Sequence, residues 1–238
     1  MSRRFFDPQV FQAGQPATLG TVASHHIGKV LRMRAGDNLV LFNGDGGEWS
    51  AVLQAVDKKS VTVLPERFDP VNRAAPLPVT LGLPLIKGDR MDYAIQKSVE
   101  MGVAAIRVLE TERTEVRLKG ERQGKKLEHW RQVVISACEQ CGLNRPPVVD
   151  GVMPLRTFVS EAQGLKLVAH PGERDLESAV IRTAPAIALL TGPEGGFTDD
   201  ELASTGDAGF ARFALGERVL RAETAPVALL SALWALML

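Results

Sequence analysis

The sequence predicts an α/β protein in two parts: a small, mostly antiparallel β unit, then a larger domain with a mainly parallel sheet. Three observations carry this reading. Short strand-like runs joined by Gly/Asp/Asn turns fill the first seventy residues, a proline-rich stretch follows, and beyond it buried strands alternate with amphipathic helices.

The β unit, residues 1–70, is read from its turns. "NLVLFNGDGGEWSAVLQAV" is two strand-like runs around a Gly/Asp/Asn turn, the signature of a hairpin. "KSVTVLPERF" adds a strand and "SHHIGKVLRM" one short helix, so the unit reads as a barrel or half-barrel. "FDPVNRAAPLPV", with three prolines and little periodicity, places a linker at residues 71–78.

From residue 79 the rhythm changes. "VTLGLPLI" is a buried strand, "RMDYAIQKSVEMG" an amphipathic helix stopped at Gly102, and "VAAIRVLE" another strand. A long helix covers roughly residues 121–141. Strands recur at "PVVDGV", "KLVAHP", "AIALLTG" and "FARFALG", with helical segments between most of them. Such alternation makes a mainly parallel sheet covered on both faces. The closing helix, "APVALLSALWALML", carries no charge from Thr224 to Leu238. A helix apolar nearly all round needs cover on more than one face. Burial in one domain's core can supply it, and a subunit interface explains it better because the sheet can already use its other helices.

Whole-chain properties narrow the class. The 238 residues suffice for one large domain or two modest ones, and 45% apolar content is ordinary for a soluble globular protein. No charge-free apolar run is long enough for a bilayer, and "MSRRFFDPQVF" lacks the apolar core of a signal peptide. Two cysteines imply no disulfide framework, so a cytoplasmic location is expected. The neutral total hides a gradient: residues 1–145 hold 21 Lys and Arg against 16 Asp and Glu, and the remainder hold 7 against 12. A basic front hints at a polyanionic partner, and an uneven scatter of solvated charge reads as well.

The turn in "AIALLTGPEGGFTDDEL" lies where ligands bind in a parallel sheet, beyond a strand's carboxyl end. It matches neither phosphate-binding glycine pattern, and its charged side chain, Glu194, repels a phosphate. Thr198 and Glu201 form a capping box, with Phe197 and Leu202 placed as a hydrophobic staple. A neutral or cationic ligand, read by backbone that the glycines leave bare, suits this loop. A tight turn with no ligand is the competing reading. "FARFALGERVLRAETAPVALL" repeats the arrangement, with Thr224 as N-cap and Pro226 in the first turn, and "KLVAHPGE" is a third strand end.

Taken together, "LLTGPEGGFTDDEL" and "LGERVLRAETAPVALLSAL" resemble the C-terminal signature of SPOUT-class methyltransferases. "IKGDRMDYAIQKSVEMGV", "TERTEV", "ACEQCGLNRPPVV" and "HIGKVLRMRAGD" resemble the RsmE type, which methylates N3 of a uridine in small-subunit (16S) ribosomal RNA. The resemblance covers nearly the whole chain. It implies a PUA-like RNA-binding domain over residues 1–70 and, over 79–238, a parallel-sheet α/β domain tied in a deep trefoil knot. It further implies S-adenosylmethionine as cofactor, a homodimer, and ribosomal RNA or the assembled small subunit as partner.

Carried over residue by residue, the cofactor pocket is His170 and Pro171, then Thr191, Gly192, Gly195 and Gly196, then Leu215, Gly216, Val219 and Leu220. Gln140, Asn144 and Arg145 are candidates for RNA contact. Arg3, Arg4, Lys29, Arg32 and Arg34 form a cationic cluster suited to phosphates. Cys138 and Cys141 lack the second pair a zinc site needs, so they read as ordinary thiols and no metal is expected. For catalysis, a carboxylate at Glu223 or Glu194 serves as base for the N3 proton, and Arg221 steadies charge on a uridine carbonyl oxygen. Glu223 reads equally as a helix cap and Arg221 as a phosphate ligand. A non-catalytic RNA-binding assembly factor is the alternative function. A nucleotide-dependent metabolic enzyme is weakened by the missing phosphate fingerprints.

Overall fold

The computed structural model describes residues 3–172 and 178–237, so Glu173 of the third predicted turn and Leu238 of the last helix lie outside the described residues. The chain divides into two compact units. The first is the chain up to Ala74 together with Cys138–Pro146, and the second is Ala75–Ala137 with Pro147–Leu238.

The first unit holds β1 (Arg4–Phe6), β2 (Ala17–Thr18), β3 (Asn38–Phe42), β4 (Glu48–Val56) and β5 (Val61–Asp69) in one sheet of order β1-β3-β4-β5-β2. β3 and β4 form the expected antiparallel hairpin, and β1 joins β3 in parallel. Alternate residues Leu39 and Leu41, then Val61 and Val63, point into the core, as a half-buried sheet requires. The short helix is α1 (Thr21–His25), which continues as a π-turn over His26–Val30 and buries Ala23 and Ile27.

Cys138–Pro146 returns to this unit far from it in sequence, and buried Asn144 shows why. Its side chain accepts from the N–H of Arg73 (3.2 Å) and donates to the carbonyls of Gly47 (3.2 Å) and Val71 (2.7 Å). Both N–H donors of the amide and its oxygen are engaged, as a buried Asn requires.

The second unit is a six-stranded sheet: β6 (Val79–Pro84), β7 (Ala105–Glu110), β8 (Val148–Pro154), β9 (Leu165–Ala169), β10 (Ile187–Leu190) and β11 (Ala211–Phe213). The order is β11-β9-β10-β6-β7-β8 and every pairing is parallel. All four residues of β10 are buried, the continuous apolar run of a strand covered on both faces. Gly82 in β6 is a packing requirement, because a Cβ there would lie 2.8 Å from the Phe158 ring. The helices are α2 (Asp89–Glu100), α3 (Glu121–Cys141), α4 (Leu155–Glu161), α5 (Ser178–Thr183), α6 (Asp199–Asp207) and α7 (Ala225–Met237).

Two consequences position the site. β11, β9 and β10 are neighbours and parallel, so the segments leaving their carboxyl ends emerge side by side. β11, the last strand in sequence, lies at one edge, beyond β9.

Candidate active site

The three segments after β9, β10 and β11 meet. The Gly172 N–H donates to the Gly216 carbonyl (3.3 Å), an isolated bridge between the first and third. Together they enclose a cleft of about 610 Å³, a volume suited to a nucleoside-sized ligand. His170, Pro171, Gly192, Gly195, Gly196, Leu215, Gly216, Val219 and Leu220 all line it, as do Glu194, Arg221 and Glu223.

Thr191 stands apart from the other cofactor candidates. It is fully buried, donating through its N–H (3.1 Å) and Oγ1 (3.3 Å) to the Gly82 carbonyl, and is not among the lining residues. It therefore ties the start of the loop to β6 and presents no side chain to a ligand.

The loop from β10 into α6 is held at both ends. The capping box forms: Glu201 N–H donates to Thr198 Oγ1 (3.2 Å) and Thr198 N–H to Glu201 Oε2 (3.0 Å). The other oxygen of Glu201 accepts from the Glu112 N–H at 2.9 Å. Next to it, Arg113 Nη1 donates to the carbonyls of Gly195 and Phe197, both at 3.1 Å. Gly195 packs on that side chain so closely that a Cβ would sit 3.1 Å from Arg113 Cβ. By contrast, the space beside Gly216 (φ +91°) is empty, leaving bare backbone at the cleft.

The electrostatics correct the sequence reading of an acidic loop. Arg90, in the first turn of α2, lines the cleft and lies 3.5 Å from Glu194 Oε1, which also accepts from the Lys87 N–H (3.3 Å). Glu194 is thus a paired side chain, poorly placed to act as a base. The sequence could not show this, because the pairing of β6 with β10 that brings Lys87 and Arg90 near is long-range. Arg218 and Arg221 add two more cations to the wall. Glu223 differs: its Oε2 is buried on the cleft wall and has no hydrogen-bond partner among the described residues. His170 is half-buried, with Nδ1 2.8 Å from the Pro171 carbonyl oxygen.

Arg90 and Arg113 are among the site residues that sequence reasoning missed. "TERTEV" contributed to the resemblance, yet no local pattern says that its arginine braces a loop 82 residues further on.

The RNA candidates divide. Lys29, Arg32, Arg34, Gln140 and Arg145 are exposed. Arg3 is exposed and lies 3.1 Å from Asp37. Arg4 and Asn144 are corrected to structural roles. Arg4 is 9% exposed and donates to Glu48 at 2.6 Å and to the Gly142 carbonyl at 3.1 Å, so its charge is consumed inside the fold. Asn144 is buried with both N–H donors and its oxygen bonded within the first unit. Cys138 is buried, and burial pushes its thiol far up, while Cys141 is exposed. Among the described residues no group of three or more His, Cys, Asp or Glu is arranged to hold a metal.

Known proteins resemble this chain in sequence and fold. Residues 73–234 match the RNA methyltransferase domain family and residues 23–66 the RNA methyltransferase PUA domain family. Ribosomal RNA small subunit methyltransferase E of Bacillus subtilis (strain 168) is 33% identical over 88% of this chain and 86% of its own. A Legionella pneumophila protein solved in complex with the bound cofactor SAM superposes with a TM-score of 0.94 at 42% identity, over 99% of this chain and 98% of the other. The Neisseria gonorrhoeae ribosomal RNA small subunit methyltransferase E bound to S-adenosyl methionine gives 0.92 at 35% identity, over 99% and 98%. A PUA domain, a parallel-sheet methyltransferase domain and relatives aligned nearly end to end agree, and the chain belongs to the ribosomal RNA small subunit methyltransferase E family.

Proposed function

We propose that this chain transfers a methyl group from S-adenosylmethionine to N3 of a uridine in 16S ribosomal RNA. The observation that carries the reading is the cleft itself: three parallel-strand ends converge on about 610 Å³ of space walled by glycine backbone. Relatives of the same fold, named as small-subunit rRNA methyltransferases or solved with this cofactor, support it.

The residues present fit that cofactor. Bare backbone at Gly196 and Gly216 leaves room for an adenine edge to reach main-chain hydrogen-bonding groups, and Leu215 and Leu220 offer apolar cover. The Glu223 Oε2, without a hydrogen-bond partner among the described residues, suits a sulfonium better than a phosphate. S-adenosylmethionine supplies an electrophilic methyl carbon. The chain's part is to place uridine N3 in line with it and to remove the N3 proton. Glu223 is the carboxylate for that proton, since Glu194 is engaged by Arg90 and the Lys87 amide. Arg221, exposed on the cleft wall, is placed to steady negative charge growing on a uracil carbonyl oxygen.

A homodimer, a cytoplasmic location and the deep trefoil knot belong to the same reading, carried over from the family resemblance. No helix among the described residues is long and apolar enough to cross a membrane.

The test uses Glu223→Gln. Turnover on small subunits is expected to fall by about a hundredfold, the usual loss for a general base, with S-adenosylhomocysteine affinity kept within about threefold by calorimetry. Full turnover would remove Glu223 from the chemistry. For the function as a whole, mass spectrometry of 16S rRNA from cells lacking the gene is expected to show loss of one N3-methyluridine. An unchanged rRNA, together with no S-adenosylhomocysteine binding, would favour the assembly factor.

A further inference from the structure

Five of the nine exposed lysines and arginines among the described residues of the first unit lie on two neighbouring segments. The π-turn carries Lys29 and leads into Arg32 and Arg34, and the turn between β4 and β5 carries Lys58 and Lys59, all five exposed. Two contacts put that turn beside the helix. A Cβ on Gly28 would come within 3.2 Å of Val56 Cγ1, just before the turn, and Ser24 Oγ accepts from the Val61 N–H (3.2 Å), just after it. Among the described residues none of the five is in an ion pair. Residues 22–34 and 56–61 contain one carboxylate, Asp57.

Apolar side chains are bare on the same elements. Val22 (61% exposed), Val30 (59%), Leu31 and Val56 are four of the six large apolar side chains left exposed among the described residues of this unit. The backbone is also strained here: Arg32 sits at φ +51°, between the His26–Leu31 and Ile27–Met33 backbone hydrogen bonds. Strain of this kind and π-turns both concentrate at functional sites. A face meant only to meet water has no need of four bare apolar groups between its charges.

The ligand this chemistry fits is anionic along one edge and flat and apolar along the other. An unpaired RNA strand is such a ligand, whereas a duplex shows its phosphates and hides its bases. All five cations lie within residues 23–66, the part matching the RNA methyltransferase PUA domain. We infer that Lys58 and Lys59 complete, with Lys29, Arg32 and Arg34, a track for the phosphates of an unpaired rRNA segment, whose bases lie on Val22, Val30 and Leu31. The inference rests on the RNA-methylation reading above and adds the strand type and the residues that read it.

Fluorescence anisotropy of the full chain tests it, with a labelled single-stranded RNA of about twelve nucleotides and the same sequence in a duplex. The single strand is expected to bind at least about tenfold tighter. Its log affinity is expected to fall against log salt with a slope near about −3.5, from about 0.7 per phosphate over five cations. Lys58→Ala with Lys59→Ala should lower that slope by about 1.4. Val30→Ser with Leu31→Ser should narrow the preference for single strands. Both double variants should bind S-adenosylhomocysteine like the wild type. The inference is overturned if the lysine variant binds RNA like a wild type that itself binds and methylates, or if duplex binds as well as single strand. Binding to phosphatidylserine vesicles with none to RNA also overturns it. A wild type that neither binds RNA nor methylates small subunits overturns the RNA-methylation reading, and this inference with it.

Discussion

Arg4 shows how a single residue changes meaning between sequence and structure. Beside Arg3 it reads as one more surface cation, but its guanidinium is buried against Glu48, which also receives Arg73 at 2.9–3.0 Å. The Arg73 hydrogen bond first, and Arg4 with it, hold the Glu48 carboxyl below the usual carboxylate range despite burial. A depressed carboxylate gives stability that is present above its unfolded pKa and lost as pH falls through the folded one. Glu48→Gln should therefore cost about 3 kcal/mol near neutrality, because it strands a buried Arg4. In denaturant titrations the gap between wild type and variant should close in acid, below the normal carboxylate range. Glu139 works in the opposite direction: burial pushes its carboxyl up, so the folded state gains as pH falls through that raised value. Neither partnership was legible: Arg4 and Glu48 are 44 residues apart, and the Phe6 N–H that donates to Glu139 Oε1 (3.0 Å) is 133 residues away.

At the scale of elements the sequence was far more informative, because element type depends on local period and capping. The hairpin at Asn38–Val56, the long helix at 121–141 and the capping box at Thr198 follow from patterns within a few residues of each other. What periodicity could not supply was the neighbour of each element. The loop before α6 is braced by Glu112 and Arg113 from the segment after β7, which only the folded sheet brings alongside. Two predictions separate these supports. Thr198→Ala should lower stability by about 1 kcal/mol through the lost cap, as measured by thermal or denaturant unfolding. Arg113→Ala should leave stability nearly unchanged yet weaken S-adenosylhomocysteine binding by about tenfold in calorimetry, since it frees two carbonyls of the loop that walls the cleft.

For the whole molecule, the division into units departs from the linear boundary. A split at residues 71–78 follows from prolines and a change of rhythm, but the assignment of Cys138–Pro146 to the first unit depends on contacts made across the chain, such as those of Asn144. Helix α7 carries the remaining question at this scale. It packs on α2 and α5, Leu229, Leu230 and Leu233 are buried, and Trp234 donates to the Met101 carbonyl at 2.5 Å. One chain thus covers more of this helix than its composition suggested, and its exposed positions are the small residues Ser231 and Ala235. If α7 is the subunit interface, the close approach of two such faces makes Ala235 sensitive to size and charge. Sedimentation of the wild type should show a dimer, and Ala235→Arg should shift it to monomer at micromolar concentration while the circular dichroism spectrum stays the same. A monomeric wild type would place α7 outside any interface.

The bond between the Gly172 amide and the Gly216 carbonyl joins two walls of the cleft through main chain alone. No side-chain substitution elsewhere in those walls removes its donor or acceptor, so sequence drift there can alter what the cleft grips without unfastening it. The amide proton of Gly172 becomes a natural gauge of opening: its exchange with deuterated solvent should slow when a ligand pins the two walls together.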